Sequence, residues 1–306
     1  MGLKVPKVLL ANIEIELDCK ILSYIILGSG EHNINYLLKS SKGPFVLRIY
    51  ANTQFDNALK EYKILKKLDG KFSPKVLYLD MSKRFIKQNY MIQEFIEGKT
   101  LQKFDKKSIV KAANLLKEVH KIVDLRTKRS WKNLITFWTE NNILKNSKFL
   151  GDTFNEEIKS LHSKVIQKLT EIIPLVSKYE RTSLTHDDIV PENFIEKKNG
   201  ELVLIDWELA CFDYFFFDFG SILAESNLSK DLEDLFLKTY GFGRDSSEKK
   251  IIKAVNCSRI LSLIGWLIER IALNMQGKRS FALEDINKYK RKLKKELVHL
   301  ETLLSK

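Results

Sequence analysis

The hydrophobic period of this chain changes near Gly98, and that change restricts the folds open to it. Before it, short runs rich in Ile, Val, Leu and Tyr are separated by turns containing Gly, Pro and Ser, which is the pattern of strands. Ile21–Leu38 splits into two such runs around Gly28-Ser29-Gly30, and Phe45–Tyr50, Lys75–Asp80 and Gln88–Phe95 follow. One helical period interrupts them: Asn57–Leu68 sets Ala58, Tyr62, Leu65 and Leu68 on a single stripe. Residues 7–20 fit either a short amphipathic helix or a strand. Beyond Gly98 the spacing is helical, over residues 105–123, 133–142, 154–179, 219–225, 230–240, 248–275 and 284–304. Strands first and helices afterwards predict an α+β fold: a small antiparallel β lobe over residues 1–96, a hinge near 93–98, and a larger helical lobe over 97–306.

One stretch in the helical half breaks the pattern. Leu184–Glu208 reads as a charged turn, a hairpin-like return and a buried strand, Leu202-Val203-Leu204-Ile205. It holds His186-x-Asp188-x-x-x-x-Asn193 and ends in Asp206-Trp207-Glu208. Phosphoryl transfer from a nucleotide needs few protein groups: a carboxylate facing the acceptor hydroxyl, and oxygen ligands holding Mg²⁺ against the phosphates. Asp188 suits the first role, and Asn193 with Asp206 the second. His-x-Asp-x4-Asn alone arises by chance in on the order of one chain in a hundred of this length, so its context must decide. An acidic loop with an Asx turn at Pro191-Glu192-Asn193 is the plainer alternative.

That context begins in the strand half. Gly28-Ser29-Gly30 offers backbone N–H groups that phosphate oxygens can approach without a Cβ in the way, although a hairpin turn needs the same residues. Arg48 is a cation inside the apolar strand Phe45–Tyr50, so it either faces solvent or holds an anion. Glu61 lies beside the helical stripe and is placed to pair with it, fixing the guanidinium for α- and β-phosphates. Asp105 or Ser108 opens the first helix of the second half. His120, near its end, reads as a packed, hydrogen-bonded histidine, and Asp218 as an N-cap or loop tether for the helix Phe219–Glu225.

Bulk properties exclude several classes. Apolar residues make up 44% of the 306, enough for a large core, and no apolar run reaches the length of a membrane span. The N-terminal residues carry no signal-peptide pattern. Three cysteines, Cys19, Cys211 and Cys257, are odd in number and far apart, which suits a reducing cytosol rather than a disulfide or zinc framework. The net charge of +13 is spread along the chain with no nucleic-acid motif, so no nucleic-acid partner is expected. The basic run KYKRKLKKE near the C-terminus reads as the solvated face of an amphipathic helix.

Read together, these segments resemble the aminoglycoside phosphotransferase and choline kinase superfamily, over nearly the whole chain and in the right order. Gly28–Tyr36 is similar to its glycine-turn segment, which ends in Asn-x-x-Tyr; Arg48 and Glu61 stand at its phosphate-binding cation and helical partner. Met91–Gly98 is similar to its hinge, so the carbonyl of Glu94 and the N–H of Ile96 are implied adenine contacts. Leu115–His120 resembles its Leu-His helix end, His186–Asn193 its catalytic loop, and Asp206-Trp207-Glu208 its metal-binding segment. Asp218 stands where the family tethers that loop. Asp187 replaces a usual glycine and puts a second carboxylate beside Asp188; Arg48 replaces the commoner lysine.

The resemblance implies a two-lobed protein-kinase-like fold and a cytoplasmic, ATP- and Mg²⁺-dependent kinase acting on a hydroxyl of a small molecule. Amino alcohols such as choline and ethanolamine, sugars and aminoglycosides all remain open as acceptors. Asp187, Glu208, Trp266 and Glu269 are the candidates for the acceptor side; Trp266 and Glu269 lie one helical turn apart, an aromatic face beside a carboxylate that suits an ammonium group. A nucleotide-binding regulatory protein without turnover and an atypical protein kinase are the rival readings.

Overall fold

The computed structural model describes residues 4–29, 33–51, 57–124, 143–176, 178–179, 182–279 and 281–305. The chain divides into two compact units, the first Met1–Phe104 with Pro191–Ala210 and the second Asp105–Val190 with Cys211–Lys306. The division expected at residues 96 and 97 follows chain order; the grouping by contact instead gives residues 97–104 and 191–210 to the first unit. The helix expected over residues 133–142 lies outside the described residues.

The first unit is built on a five-stranded antiparallel sheet, β1 (Ile21–Ser29), β2 (Asn33–Ser40), β3 (Gly43–Tyr50), β4 (Val76–Asp80) and β5 (Tyr90–Glu94), in the order β1-β2-β3-β5-β4. Residues 7–20, open between helix and strand in the sequence, form helix α1 (Lys7–Leu17). Leu9 and Ile13, one turn apart, are fully buried with Tyr36, Leu38, Leu47, Tyr90 and Ile92, and this apolar cluster welds α1 to the sheet. Helix α2 (Ala58–Leu68) buries Ala58, Leu65 and Leu68 as its period predicts, and buries Glu61 as well.

A second, three-stranded sheet completes this unit: β6 (Gly98–Thr100), β9 (Phe194–Lys197) and β10 (Leu202–Leu204), in the order β10-β9-β6. The expected hairpin-like return is the β9–β10 pair, turned at Gly200, whose φ of 82° favours glycine. Gly98 is a glycine for a different reason. A Cβ there would lie 2.5 Å from the carbonyl oxygen of Glu196, so the strand pairing tolerates no side chain at that point. The Leu204 N–H donates to the Phe72 carbonyl at 2.9 Å, which ties the returning segment to the loop after α2.

The second unit is mainly helical: α3 (Lys106–Val119), α4 (Asp152–Val176), α5 (Phe217–Glu225), α6 (Lys230–Tyr240), α7 (Ser246–Met275) and α8 (Leu283–Ser305). A small sheet, β11-β8-β7, joins β7 (Val123–Asp124), β8 (Thr182–Thr185) and β11 (Cys211–Asp213). Asp105 does cap α3, accepting from the Ser108 N–H at 2.7 Å while the Ser108 hydroxyl takes the Asp105 N–H. The aromatic run at 214–217 folds into a cluster in which Phe215, Phe216 and Phe219 pack with Tyr240 and Phe242. Among the described residues, α7 is long and apolar enough to cross a membrane, contrary to the expectation of no such run. It serves as a core helix instead: Ile260, Leu261, Ile264, Leu267 and Ile268 are fully buried.

Candidate active site

The candidate residues fall into two groups, one on each unit. In the first unit the organising residue is Arg48. It lies in β3 opposite Asn35 and Met91, where alternation turns a cation towards α2, and only 5% of its side chain is exposed. Its Nε lies 3.3 Å from Glu61 Oε2, the pairing expected from the sequence. One terminal nitrogen also reaches Asp206 at 2.7 Å and Glu208 at 3.0 Å. The Tyr50 hydroxyl donates to Glu61 at 2.7 Å, and the Asn33 amide donates to Glu208. Burial opposes the charge on Arg48, but Glu61, Asp206 and Glu208 more than offset it and hold the guanidinium protonated. For Glu61 the balance runs the other way: burial keeps its carboxyl above the usual range despite Arg48 and Tyr50.

Asn193 and Asp206 flank the open end of the β9–β10 hairpin. The Ile205 N–H donates to the Asn193 carbonyl at 2.9 Å, so the residue before Asp206 is hydrogen-bonded to Asn193 itself. Asp206 has a φ of 66°, in the left-handed region, and 36% of its side chain stays exposed. Trp207 is fully buried, its indole N–H donating to the Leu204 carbonyl at 2.7 Å, and this anchors the turn carrying both neighbouring carboxylates. An amide oxygen and a carboxylate are hard donors of the kind Mg²⁺ takes when waters and phosphate oxygens fill its remaining positions. The donor set fits that ion.

Of the other nucleotide-side candidates, Gly28 sits in β1 opposite Asn35, with open space where a Cβ would point, so local crowding does not explain the glycine. Ser29 ends β1, and Gly30 lies outside the described residues. Glu94 ends β5, and its N–H donates to the Lys75 carbonyl at 2.8 Å; Ile96 is buried two residues on. Every described nucleotide- and metal-side candidate therefore belongs to the first unit. Glu208, expected on the acceptor side, belongs there too and is engaged with Arg48 and Asn33.

In the second unit the organising residue is Asp218, fully buried in the first turn of α5. It tethers the preceding loop as the resemblance implied. Its carboxylate accepts the N–H groups of His186 at 3.0 Å and Asp187 at 2.7 Å, and His120 Nε2 lies 2.9 Å away. The alternative N-cap role is not the one it plays, because α5 starts one residue earlier. Burial would raise the Asp218 carboxyl, but the His120 contact and the His186 N–H hold it below the usual range. His120 is packed as expected, its Nδ1 2.8 Å from the Tyr240 hydroxyl. The Ile189 N–H donates to Ser221 at 2.8 Å, so Asp188 is carried on a loop pinned on both sides.

Asp187 takes a φ of 66°, a conformation that costs a glycine nothing and that aspartate tolerates better than most residues. Its carboxyl is pushed up to about 7, first by burial and then by Asp218, Asp213 and Asp188, against the pull of Arg259; 40% of the side chain is nevertheless exposed. Arg259, in α7, was not among the residues singled out from sequence. It lies 3.8 Å from Asp187, 3.7 Å from Asp188 and 2.5 Å from Glu225. Trp266 and Glu269 do share a face, yet the cation on that face is internal. The Arg270 guanidinium stacks 4.1 Å over the Trp266 ring and reaches Glu269 at 2.7 Å, while Tyr289 meets the indole edge-on. An arginine directly after Glu269 was the sequence signal for this.

Comparison with known proteins shows the family and the fold. The family described as "Phosphotransferase enzyme family" matches residues 23–249. The protein LicA homolog of Mycoplasma capricolum subsp. capricolum is 24% identical over 211 residues, which is 69% of this chain and 76% of that protein. The crystal structure of choline kinase LicA from Streptococcus pneumoniae superposes with a TM-score of 0.67 at 20% identity, covering 96% of this chain and 98% of that one. Spectinomycin phosphotransferase APH(9)-Ia, solved with ADP and spectinomycin, gives a TM-score of 0.72 at 13% identity, with 99% of both chains covered. The shared fold is the α+β, protein-kinase-like one.

Proposed function

This chain belongs to the phosphotransferase enzyme family, and on that footing we propose that it transfers the terminal phosphoryl group of ATP to a hydroxyl of a small cationic amino alcohol. The observation that carries the reading is the Arg48 cluster, which gathers one guanidinium, Glu61 and Asp206 on a single unit. Arg48, braced by Glu61, holds nucleotide phosphates; Asn193 and Asp206 are the ligands for Mg²⁺. That ion, when bound, neutralises charge on the phosphate oxygens. Asp188 orients the acceptor hydroxyl and takes its proton, on a loop whose backbone Asp218 and Ser221 fix. Most of the rate enhancement comes from alignment and electrostatics.

Two considerations support a cationic acceptor. Three carboxylates, Asp187, Asp188 and Glu225, surround the single guanidinium of Arg259, which leaves negative charge beside the proposed base. A structural relative is named as a choline kinase. The Trp266–Glu269 face supports no acceptor while Arg270 covers it.

The test is ATP consumption with Mg²⁺ across amino alcohols, sugars and aminoglycosides, with Asp188→Asn alongside. A positioned general base contributes about 10²- to 10⁴-fold, so the variant should lose at least about a hundredfold in turnover while still binding nucleotide. Turnover within about tenfold of the parent would remove Asp188 from the mechanism.

A further inference from the structure

The loop that carries Asp188 is held through its backbone, and backbone hydrogen bonds leave a side chain's direction open. His186, Asp187 and Ile189 donate their N–H groups to Asp218 and Ser221, both on α5. Glu225 is on the same helix. The spacing 218, 221, 225 puts all three residues on one helical face. The first two fix the loop backbone; the third accepts from Arg259 Nε at 2.5 Å.

The Arg259 guanidinium then distributes its three nitrogens among three carboxylates. Nε faces Glu225, one terminal nitrogen lies 3.8 Å from Asp187 Oδ1, and the other lies 3.7 Å from Asp188 Oδ1. A planar fork gripped at Nε has its remaining two nitrogens fixed in direction, which a lysine ammonium cannot reproduce. The stem is fixed as well. Helix α7 crosses α5 so closely at Gly220 that a Cβ there would sit 2.8 Å from the Val255 carbonyl oxygen and 3.4 Å from the Arg259 Cβ. At 3.7 Å Arg259 offers Asp188 charge without the geometry of a hydrogen bond.

We propose that Arg259, braced by Glu225, is a positioning residue for Asp188, setting the direction and charge of the carboxylate that receives the acceptor's proton. The proposal rests on the reading of Asp188 as that base. The face of α5 thus organises the loop twice, through its backbone by Asp218 and Ser221 and through its charge by Glu225 and Arg259. The other charged groups around the pair are Asp213 from β11, Asp218 from α5 and His120 from α3; they are unchanged in the variants below.

The experiment compares Arg259→Gln, Arg259→Lys and Glu225→Gln with the parent, using the acceptor found in the panel, and follows the Asp187 and Asp188 carboxyl carbons by ¹³C NMR across pH. Arg259→Gln should lower kcat by about 10- to 100-fold, a part of the base's whole contribution, with the KM for ATP unchanged. Both carboxyl midpoints should move up, because a cation that favours their charged forms is gone. Glu225→Gln should lower kcat in smaller measure while the midpoints move down, because a carboxylate competing for the guanidinium is gone. Arg259→Lys should recover only part of kcat, with midpoints between those of the parent and Arg259→Gln.

Unmoved carboxyl midpoints, or a loss confined to the acceptor KM, overturn the proposal. If Arg259→Gln does not fold, the titration of folded Arg259→Lys decides instead: its midpoints should rise in part, because an ammonium cannot face all three carboxylates, and unmoved midpoints overturn the proposal without any acceptor. Parental turnover in Asp188→Asn defeats the base assignment, whereas its loss there together with parental kcat in Arg259→Gln defeats only the role of Arg259.

Discussion

Arg48→Met keeps much of the side-chain volume of Arg48 and removes its guanidinium, and the carboxylates around it should not suffer equally. Asp206 and Glu208 are 36% and 20% exposed and can recruit water. Glu61 is 1% exposed and cannot. Breaking one side of a buried pair costs about 3–5 kcal/mol, because a charge is left without its partner. The Tyr50 hydroxyl stays 2.7 Å from Glu61, which points to the lower end, about 3 kcal/mol. Burial already holds the Glu61 carboxyl above its usual range, and losing Arg48 raises it further. The folded variant then takes up a proton that the unfolded chain does not. Its defect is therefore fullest above the raised pKa and shrinks as pH falls through it. Urea unfolding at about pH 8 and about pH 5 measures both effects. Adding Glu61→Gln, which removes the stranded charge and can still accept from Tyr50, should bring stability back to within about 1 kcal/mol of the parent. A loss below about 1 kcal/mol in the single variant, or a double variant that merely sums its parts, would refute the reasoning.

Asp187 gives a pH dependence of the same sign in the parent itself. With its folded pKa at about 7, above the unfolded value, the native state holds a proton the unfolded chain has lost, so stability falls as pH rises through the window from about 4 to about 7. Asp187→Asn tolerates the same left-handed backbone and should remove that slope, so its melting temperature relative to the parent should climb with pH; parallel curves would exclude the shift. Asp105→Ala removes the accepting half of the α3 capping box and should cost about 1 kcal/mol in urea unfolding, with Asp105→Ser close to the parent.

What could be read from the sequence was local. The pairing of Arg48 with Glu61 followed from a cation in an apolar strand and a carboxylate beside a helical stripe, and the structure joins them at 3.3 Å. The Asp105 start of α3 and the strand runs before Gly98 were visible because caps and alternation act over a few residues. Arg259 was not visible. One of two arginines within a long, largely apolar helix looks like a solvated position, and only the close crossing at Gly220 and the anchor at Glu225 put it beside Asp187 and Asp188. The contacts of Glu208 were not visible for a related reason: its neighbours Arg48 and Asn33 are more than a hundred residues away in the chain, so no local pattern predicts them. Trp266 and Glu269 share a helical face as their spacing predicts, and Arg270 is the cation that meets both there.

The return of residues 191–210 to the first unit has a consequence for biosynthesis. The β6 strand at Gly98–Thr100 leaves the ribosome long before its partner β9 at Phe194–Lys197, and the Phe72 carbonyl waits longer still for the Leu204 N–H. At roughly 5–20 residues per second, about a hundred residues take on the order of 5–20 s to make. During that interval the five-stranded sheet can form alone, while the Arg48–Glu61 pair is without Asp206 and Glu208. The first unit is thus begun at the start of synthesis and completed only when the final third of the chain is under way, so its opening segment spends that interval with the β6 edge and the Arg48 cluster unfinished.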